Sequence, residues 1–429
     1  MNRILFALVI FVTCVGRAFS AEGDDGESLT LEKAHAIALR NHPGLAAADY
    51  RAQAAEQVVR QTRAALFPQV NLYGSAVEAG ANDTRILAGG LNNPSIFDRT
   101  AVGAGATQLL TDFGRTSNLV ASSKLQANAA RESESATIAQ VLFDVDRNYF
   151  GVMQAQAVER VAQQTVDTRQ LLLDRVNLLA ANKLKSDLDV SFARVALAEG
   201  TLLLQNAHNN VDSSMASLSA ALGYRELKQF RLVDEASGAA EAPADVAKLI
   251  EKALRKRPEL ASLADERDAA IKLARAQRDA RLPTVSIVLS GGDAFAHDAR
   301  LPDNYLAGGI QLSLPLFAGG LYAARQHEAE LRAKAVSESL RTAEDNVIRD
   351  VRISWLSVNE ARQRLQTTQQ LRDYAARAFE LAQARYDVGS SSIVELSQAQ
   401  LAFSSAEIAN ASARYELLIK QANLNYQTG

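Results

Sequence analysis

The sequence predicts a mostly α-helical protein with a smaller β portion, in which one structural unit occurs twice. Two long segments contain no proline and almost no glycine, as expected for very long helices. Each follows two short stretches in which apolar residues alternate with small or polar ones, which is the period of a strand. The duplication shows as matched residues 215 positions apart, with Leu39-Arg40, Pro43 and Pro68 recurring as Leu254-Arg255, Pro258 and Pro283. Internal repeats constrain architecture more than single motifs do, so they set the predicted fold.

The N-terminus has the pattern of a secretory signal peptide over residues 1–20. Arg3 gives the positive start, Leu5 to Val15 form a short apolar run, and the small residues around Ala18-Phe19-Ser20 predict cleavage after position 20. The run is too short to span a bilayer as a helix, and a retained anchor is the alternative interpretation. The only cysteine, Cys14, lies in this segment within a poor lipoprotein motif. We therefore expect a mature chain without thiols, disulfides or a lipid anchor.

Composition excludes several classes of function. The chain is 48% hydrophobic but only 6% aromatic, which suits long helices packed along their lengths better than a thick globular core. A net charge of −3 without a basic stripe gives no case for nucleic acid. The five histidines show no metal-ligand spacing, and no Ser/His/Asp arrangement can be nominated. The predicted protein is not an enzyme and has no cofactor or metal.

The first unit is predicted over residues 21–223. A helix broken at His42-Pro43 leads to a strand, a loop rich in Gly and Asn, a second strand and a long helical hairpin. The predicted segments are Leu29–Ala65, Val70–Ala76, Gly80–Thr100, Val102–Leu110, Gly114–Ala181 and Ser186–Leu222, with a turn at Asn182–Lys185.

The second unit is predicted over residues 245–429, after a linker at 224–244. It repeats the order with helix Asp245–Arg281 broken at Pro258, strand Val285–Leu289, loop Gly291–Asn304, strand Ile310–Leu314, helix Gly320–Val388 and helix Ser392–Gln427. Positions 347, 351, 354, 358, 361, 365 and 368 step by four and three residues and are mostly small, as in a close-packed coiled-coil seam.

The four strands suggest a membrane segment shared between chains. Alternating strands of this length resemble those of transmembrane barrels, although an ordinary soluble sheet is the simpler interpretation of each strand alone. Phe67, Phe113 and Phe317 lie at strand–helix junctions, where an aromatic girdle is expected. Four strands cannot close a pore, so we predict a trimer with a shared 12-stranded β-barrel joined to a trimeric α-barrel. The loops Gly80–Thr100 and Asp293–Asn304 are expected to face the cell exterior.

Several motifs make the chain resemble the TolC-like outer membrane efflux protein family. They are Asn41-His42-Pro43, Arg257-Pro258, Asp112-Phe113-Gly114, Pro315-Leu316-Phe317-Ala318-Gly319-Gly320, Tyr386-Asp387-Val388-Gly389 and Ser392-Ile393-Val394-Glu395-Leu396. The resemblance covers nearly the whole mature chain. It implies a homotrimeric duct in the outer membrane of a Gram-negative bacterium, extending into the periplasm. The implied partners are outer membrane lipid, a periplasmic adaptor and an inner membrane pump of the RND or ABC type, in an efflux or type I secretion system.

The resemblance also places the functional residues at the two hairpin tips. It implies a periplasmic gate or entrance at Asp187, Asp189, Tyr386, Ser391, Glu395 and Gln398. It implies adaptor contacts at Lys183, Lys185, Val388, Gly389 and Ser390. Glu395 matches an entrance acid of the family and Tyr386 a residue of its closed-state latch. Ser391 stands where the family can carry an arginine latch, and Gln398 where it can carry a second acid.

A structural explanation of the same tips is available from helix capping. Ser186 with Asp189, and Ser392 with Glu395, both fit the capping box, and Gly389 fits a left-handed helix end. If the acids also face the pore without a countercharge, three copies should favour cations. The competing function is a periplasmic coiled-coil adaptor or scaffold without membrane strands, which would not need the four alternating segments.

Overall fold

The computed structural model describes the chain outside its N-terminus and parts of three connecting segments. The described residues are 28–78, 84–85, 95–96, 99–234, 245–297, 299 and 302–429. The predicted signal peptide and Cys14 lie outside them. No helix in these ranges is long and apolar enough to cross a membrane.

The elements of the first half follow the predicted order. They are β1 (Ser28–Leu29), α1 (Leu31–Asn41), α2 (Pro43–Ala64), β2 (Gln69–Val77), β3 (Thr84–Arg85), β4 (Ser95–Ile96), β5 (Arg99–Thr111), α3 (Arg115–Ala181), α4 (Asp187–Ala221) and β6 (Arg231–Leu232). The break between α1 and α2 has the predicted cause, because Pro43 occupies the start of α2 and the His42 side chain accepts a hydrogen bond from the Gly44 amide.

The second half repeats this order. Its elements are α5 (Val246–Lys256), α6 (Pro258–Asp279), β7 (Thr284–His297), β8 (Asn304–Ser313), α7 (Leu321–Asp387) and α8 (Ile393–Thr428). The predicted seam on α7 is confirmed at five positions, since Val347, Val351, Ser354, Val358 and Ala361 are buried, while positions 365 and 368 are half-buried.

Two predictions about the strands were wrong. Residues 291–297 were expected to be a loop but extend β7, and β5 begins at Arg99 inside the predicted first loop. The reason lies in the glycines. A Cβ at Gly292 would come within 2.3 Å of the Val102 carbonyl oxygen, so this glycine permits close strand approach instead of marking a turn.

The linker contains an element that the sequence did not predict. β6 pairs in parallel with β1, and the Tyr149 hydroxyl lies 2.9 Å from the Leu29 carbonyl oxygen and 2.7 Å from that of Val233. Tyr149 belongs to a buried cluster on α3 with Val145 and Val152. The cluster therefore ties the start of the described chain to the segment between the two halves.

The four long strands form one antiparallel sheet with two open edges. The strand order is β2-β5-β7-β8, so β2 and β8 each have a neighbour on one side only. Both edge strands are exposed along the positions described. Their exposed apolar side chains include Val70, Leu72, Leu306, Ile310 and Leu312.

The helices form a layer that changes composition along its length. Near the sheet, α3 packs against α2 and α6, and α6 packs against α7. Farther away, α3 packs against α4 and α8, and α8 packs against α7. The layer order is therefore α2–α3–α6–α7 at one end and α4–α3–α8–α7 at the other, and both orders leave α7 at one edge.

Candidate functional site at the hairpin tips

The first tip, between α3 and α4, has a complete capping box. The Ser186 hydroxyl accepts a hydrogen bond from the Asp189 amide, and Asp189 Oδ2 accepts one from the Ser186 amide at 3.0 Å. The Ser186 amide is the largest cause that lowers the pKa of Asp189. Lys183 turns the chain with φ 59°, a left-handed conformation that is unusual for a residue with a Cβ. The acid of this tip is therefore engaged in holding the helix start.

The second tip, between α7 and α8, has only half of the predicted capping box. The Ser392 hydroxyl accepts a hydrogen bond from the Glu395 amide, but the Glu395 carboxylate turns away and lies 2.7 Å from Arg385 Nη1. The expectation of a second capping box was therefore wrong, and Arg385 supplies a countercharge to Glu395 that the sequence analysis did not identify. Arg385 is ten residues earlier in the sequence, and the hairpin brings it alongside. Gly389 has the expected left-handed backbone, with φ 77°.

The two hairpins pack together just above their tips. Tyr386 is 2% exposed and lies in a buried cluster with Leu172, Val176, Ile393 and Leu396. Its hydroxyl is buried without a hydrogen-bond partner, and burial raises the pKa of Tyr386, with Asp189 adding to the effect. Lys185 Nζ sits 4.1 Å from the centre of the Tyr386 ring, so a cation of the first tip covers the aromatic ring of the second.

An ion pair between the hairpins was missed from the sequence. Arg175 Nη1 on α3 lies 2.7 Å from Asp387 Oδ1 at the end of α7. The two residues are far apart in the sequence, and no motif contains both of them. Alignment of the two halves could have singled out Asp387 as a candidate for a role found in one hairpin only. The matching position 206 residues earlier is Ala181, so the charge is present in the second half alone.

The remaining predicted residues occupy the tips as expected but do not all converge. Lys183, Asp187, Val388, Gly389 and Ser390 are exposed on the turns. Ser391 has a buried hydroxyl without a partner. Gln398 is exposed on the first turns of α8, one helical turn beyond Glu395. Whether these residues form the entrance and meet an adaptor stays a prediction at this point.

A polar layer lies between the tip cluster and the rest of the helical bundle. Thr165 and Ser404 form a hydrogen bond of 3.1 Å across α3 and α8, beside a cavity of 260 Å³. Arg169, 5% exposed, donates from Nη1 to the Ala196 carbonyl, and burial lowers its pKa. A Cβ at Gly200 would lie 3.2 Å from Arg169 Cδ, so the glycine makes room for this side chain. Within the described ranges, no group of three His, Cys, Asp or Glu side chains could hold a metal ion.

The family model for "Outer membrane efflux protein" matches residues 36–224 and 249–429 of this chain. These two ranges contain most of the sequence and follow the two halves described above. The chain belongs to the outer membrane efflux protein family. It is 25% identical over 435 residues to the outer membrane protein TolC of Salmonella enteritidis, with 97% of this chain and 85% of that protein covered.

Other relatives agree with this assignment. The pyoverdine export outer membrane protein OpmQ of Pseudomonas aeruginosa is 24% identical, over 88% of this chain and 80% of that protein. The fold matches the crystal structure of the CmeC outer membrane channel of Campylobacter jejuni with a TM-score of 0.80, over 99% of this chain and 94% of that one, at 16% identity.

The family membership establishes the general role of the chain. Outer membrane efflux proteins are transport proteins that form the outer membrane channel of tripartite efflux systems, and this chain is such a channel in a Gram-negative bacterium. Family members work as homotrimers with adaptor and inner membrane pump partners. The alternative of a periplasmic scaffold has no support among these relatives.

Proposed function

We propose that three copies of this chain form one continuous duct, with a shared 12-stranded β-barrel in the outer membrane and an α-barrel in the periplasm. The duct conducts cargo passively from a periplasmic adaptor and an inner membrane pump of the RND or ABC type to the exterior. The units that build it are residues 21–223 and 245–429, joined by 224–244. The loops between β2 and β5 and between β7 and β8 lie outside the cell.

The observation that carries this proposal is that the sheet and both helix layers each have two open edges, one on either side of the chain. The sheet is open at β2 and β8, the adjoining helices are open at α2 and α7, and the far helices are open at α4 and α7. In each layer one open edge belongs to the first half and the other to the second. A rotation about one axis can therefore bring a first-half edge against the second-half edge of the next chain in all three layers at once.

We assign the periplasmic entrance to the hairpin tips, at the end of the helices farthest from the sheet. Asp187 and Asp189 of the first tip and Glu395 and Gln398 of the second would face the shared opening. Cations stand close to three of the tip acids, since Arg385 pairs with Glu395, Arg175 with Asp387, and Lys185 lies near Asp189. The cation preference of the entrance is therefore weaker than that of unpaired acids.

We assign the closed-state contact to Arg175 and Asp387 together with buried Tyr386. The Arg175–Asp387 pair joins the two hairpins where the family can place an arginine at position 391. Adaptor contacts are proposed for Lys183, Val388, Gly389 and Ser390, which are exposed on the turns, and for half-buried Lys185. A partner can reach the four exposed residues without disturbing the buried core, whereas contact with Lys185 would act on the cation that covers the Tyr386 ring.

Thiol cross-linking tests the edge-to-edge arrangement on the mature chain, which is predicted to contain no cysteine. We expect the double variant Leu72→Cys/Ile310→Cys, on β2 and β8, to give covalent dimers and trimers with a short bifunctional thiol reagent. Each single variant should give no covalent dimer or trimer on a denaturing gel, because the two edges that meet are different. Cross-linking by either single variant, or a conducting monomer or dimer in detergent, would contradict the proposal.

A further inference from the structure

The ends of α2 and α6 that face the sheet carry a repeated pair of arginines. Arg275 and Arg278 lie on the last two turns of α6, and Arg60 and Arg63 occupy the matching positions of α2, 215 residues earlier. All four side chains are exposed. Arg60, Arg63 and Arg275 make no ion pair within the described ranges, while Arg278 Nη2 lies 3.0 Å from Asp279. Because both halves carry this arginine pair at the same position, we infer that the two helix ends have similar surroundings.

In the second half this arginine pair borders a groove between α6 and α7. The groove has a volume of 280 Å³ and an apolar floor of Ile271, Ala274 and Ala333. Its rim is formed by Arg275, Arg278, Lys334 and Glu330. Glu330 accepts a hydrogen bond of 2.7 Å from Gln326, which in turn accepts one from Arg281. Basic groups thus outnumber the acid on the rim.

The groove lies on the outer side of the helix layer. A separate cavity of 530 Å³ is lined by residues of all four helices α2, α3, α6 and α7. Side chains from the two outermost helices can share one cavity only on the concave side of a curved layer, which becomes the duct interior. At 100° per residue, Arg275 lies about 200° around α6 from Leu273 of that cavity, and Lys334 lies about 200° around α7 from Arg332. The arginine pair therefore faces outward.

The end of the groove that faces the sheet lies near the edge of a bilayer that surrounds the sheet. β7 begins at Thr284, and Arg278 precedes it by six residues. Exposed Phe67, Phe113 and Phe317 lie at the strand–helix junctions, where aromatic side chains border a hydrocarbon layer. Arg275 lies four residues before the end of α6 and is therefore about 6 Å farther from the sheet than that end, which is within the depth of a lipid headgroup layer.

We propose that the α6/α7 groove binds the phosphate headgroup of an anionic phospholipid in the periplasmic leaflet of the outer membrane. Arg275 and Arg278 hold the phosphate at the end of the groove that faces the sheet, and the acyl chains run from it toward the sheet. Arg60 and Arg63 form the corresponding contact on α2. The inference rests on the proposed function for the position of the sheet in the membrane. Basic residues next to an anionic leaflet strengthen its binding by electrostatic attraction.

The test is native mass spectrometry of the full-length mature protein in a neutral detergent, titrated with dioleoylphosphatidylglycerol or dioleoylphosphatidylcholine. We expect tighter binding of phosphatidylglycerol. Arg275→Gln/Arg278→Gln should weaken it on the order of tenfold, from the contribution of each basic residue near an anionic surface, and leave phosphatidylcholine binding unchanged. Arg275→Lys/Arg278→Lys should retain most of the preference. Excess inorganic phosphate should not displace the lipid.

The matched control is Arg51→Gln/Arg332→Gln, which removes the same charge from the concave side. Equal loss of phosphatidylglycerol binding in this control, or no preference in the unaltered protein, would overturn the inference. Flotation with vesicles of phosphatidylcholine alone separates the two proposals. If the unaltered protein does not insert into these vesicles, the proposed position of the sheet in the membrane is contradicted. Normal insertion of Arg275→Gln/Arg278→Gln with loss of the lipid preference would support both.

Discussion

The two hairpin tips match position by position, yet they use their acids differently. Under the 206-residue offset, Lys183 corresponds to Gly389, Ser186 to Ser392 and Asp189 to Glu395. Asp189 completes a capping box, whereas Glu395 pairs with Arg385. The position that corresponds to Arg385 is Leu179, which has no charge to offer. The residue at the end of the preceding helix thus decides the role of the acid. With Leu179, Asp189 caps its own helix, and with Arg385, Glu395 forms an ion pair between the two helices of the hairpin.

The comparison extends to the residues that join the tips. Tyr386 and Asp387 of the second tip correspond to Ala180 and Ala181 of the first. The second hairpin therefore supplies the buried ring and the carboxylate, while the first supplies Arg175 and Lys185 as cationic partners. The contact between hairpins is asymmetric, and its largest energetic contribution should come from the ring.

Tyr386→Ala should have the largest effect on this comparison. Removing a fully buried aromatic side chain leaves a cavity and should lower the free energy of unfolding by about 3–5 kcal/mol. Tyr386→Phe is the matched control and should be nearly neutral, because the lost hydroxyl has no partner. Guanidinium unfolding of the detergent-solubilised protein, followed by circular dichroism, measures both. A cost above about 1 kcal/mol for Tyr386→Phe would reveal a partner for the hydroxyl.

Reciprocal substitutions at the two left-handed positions should have opposite signs. Gly389→Ala introduces a Cβ at φ 77° and should destabilise by about 1–2 kcal/mol. Lys183→Gly relieves the same conformation at φ 59° and should stabilise the turn, or leave stability unchanged after the entropy cost of glycine. The same unfolding titration compares them. A destabilising Lys183→Gly as large as Gly389→Ala would show that Lys183 is held by side-chain contacts.

The capping serines should differ in size of effect and in pH dependence. Ser186→Ala should cost about 1 kcal/mol or more, since it also removes a hydrogen bond to Asp189, and Ser392→Ala should cost less. Because the folded pKa of Asp189 is lowered, its contribution is present above the unfolded pKa of about 3.9 and is lost as pH falls through the folded value. Asp189→Asn should flatten this acid limb of the stability curve, as measured by unfolding titrations at a series of pH values.

Charge changes at the second tip should have the smallest effects on stability. Arg385→Leu reproduces the first tip and removes an exposed ion pair, so stability should change by less than about 1 kcal/mol. It leaves Glu395 unpaired, and planar-bilayer recordings at low salt should show stronger cation preference. Glu395→Gln should shift the preference the other way. Unchanged selectivity in both variants would place Glu395 away from the conducting path.

Much of the fold could be predicted because its boundaries depend on local chemistry. Pro43 and Pro258 fix the helix breaks, and Gly389 fixes a turn, through backbone properties that any reader of the sequence can recognise. The extended β7 was not predictable in this way, since Gly292 acquires its meaning only from the Val102 backbone opposite. The β1–β6 pair escaped notice because two-residue strands carry no periodic pattern.

The candidate site was predicted in position but not in its pairing. Ser186, Asp189 and Ser392 follow a spacing rule within one helical turn, and the structure agrees with that rule for their backbone contacts. The partners of Glu395 and Asp387 depend on how antiparallel helices align in space. Arg175 and Asp387 are brought together by the packing of two hairpins, and no local rule contains that information.

The open strands β2 and β8 have a consequence for biogenesis. A single chain presents unpaired backbone groups along both edges, together with exposed apolar side chains, and such edges are templates for uncontrolled strand addition. The edges are different from each other, so successive additions can propagate without end unless the rotation per chain closes the ring. Newly exported chains should therefore be most prone to aggregate before the third copy joins, and overexpression should produce insoluble material in proportion to the concentration of unassembled subunits.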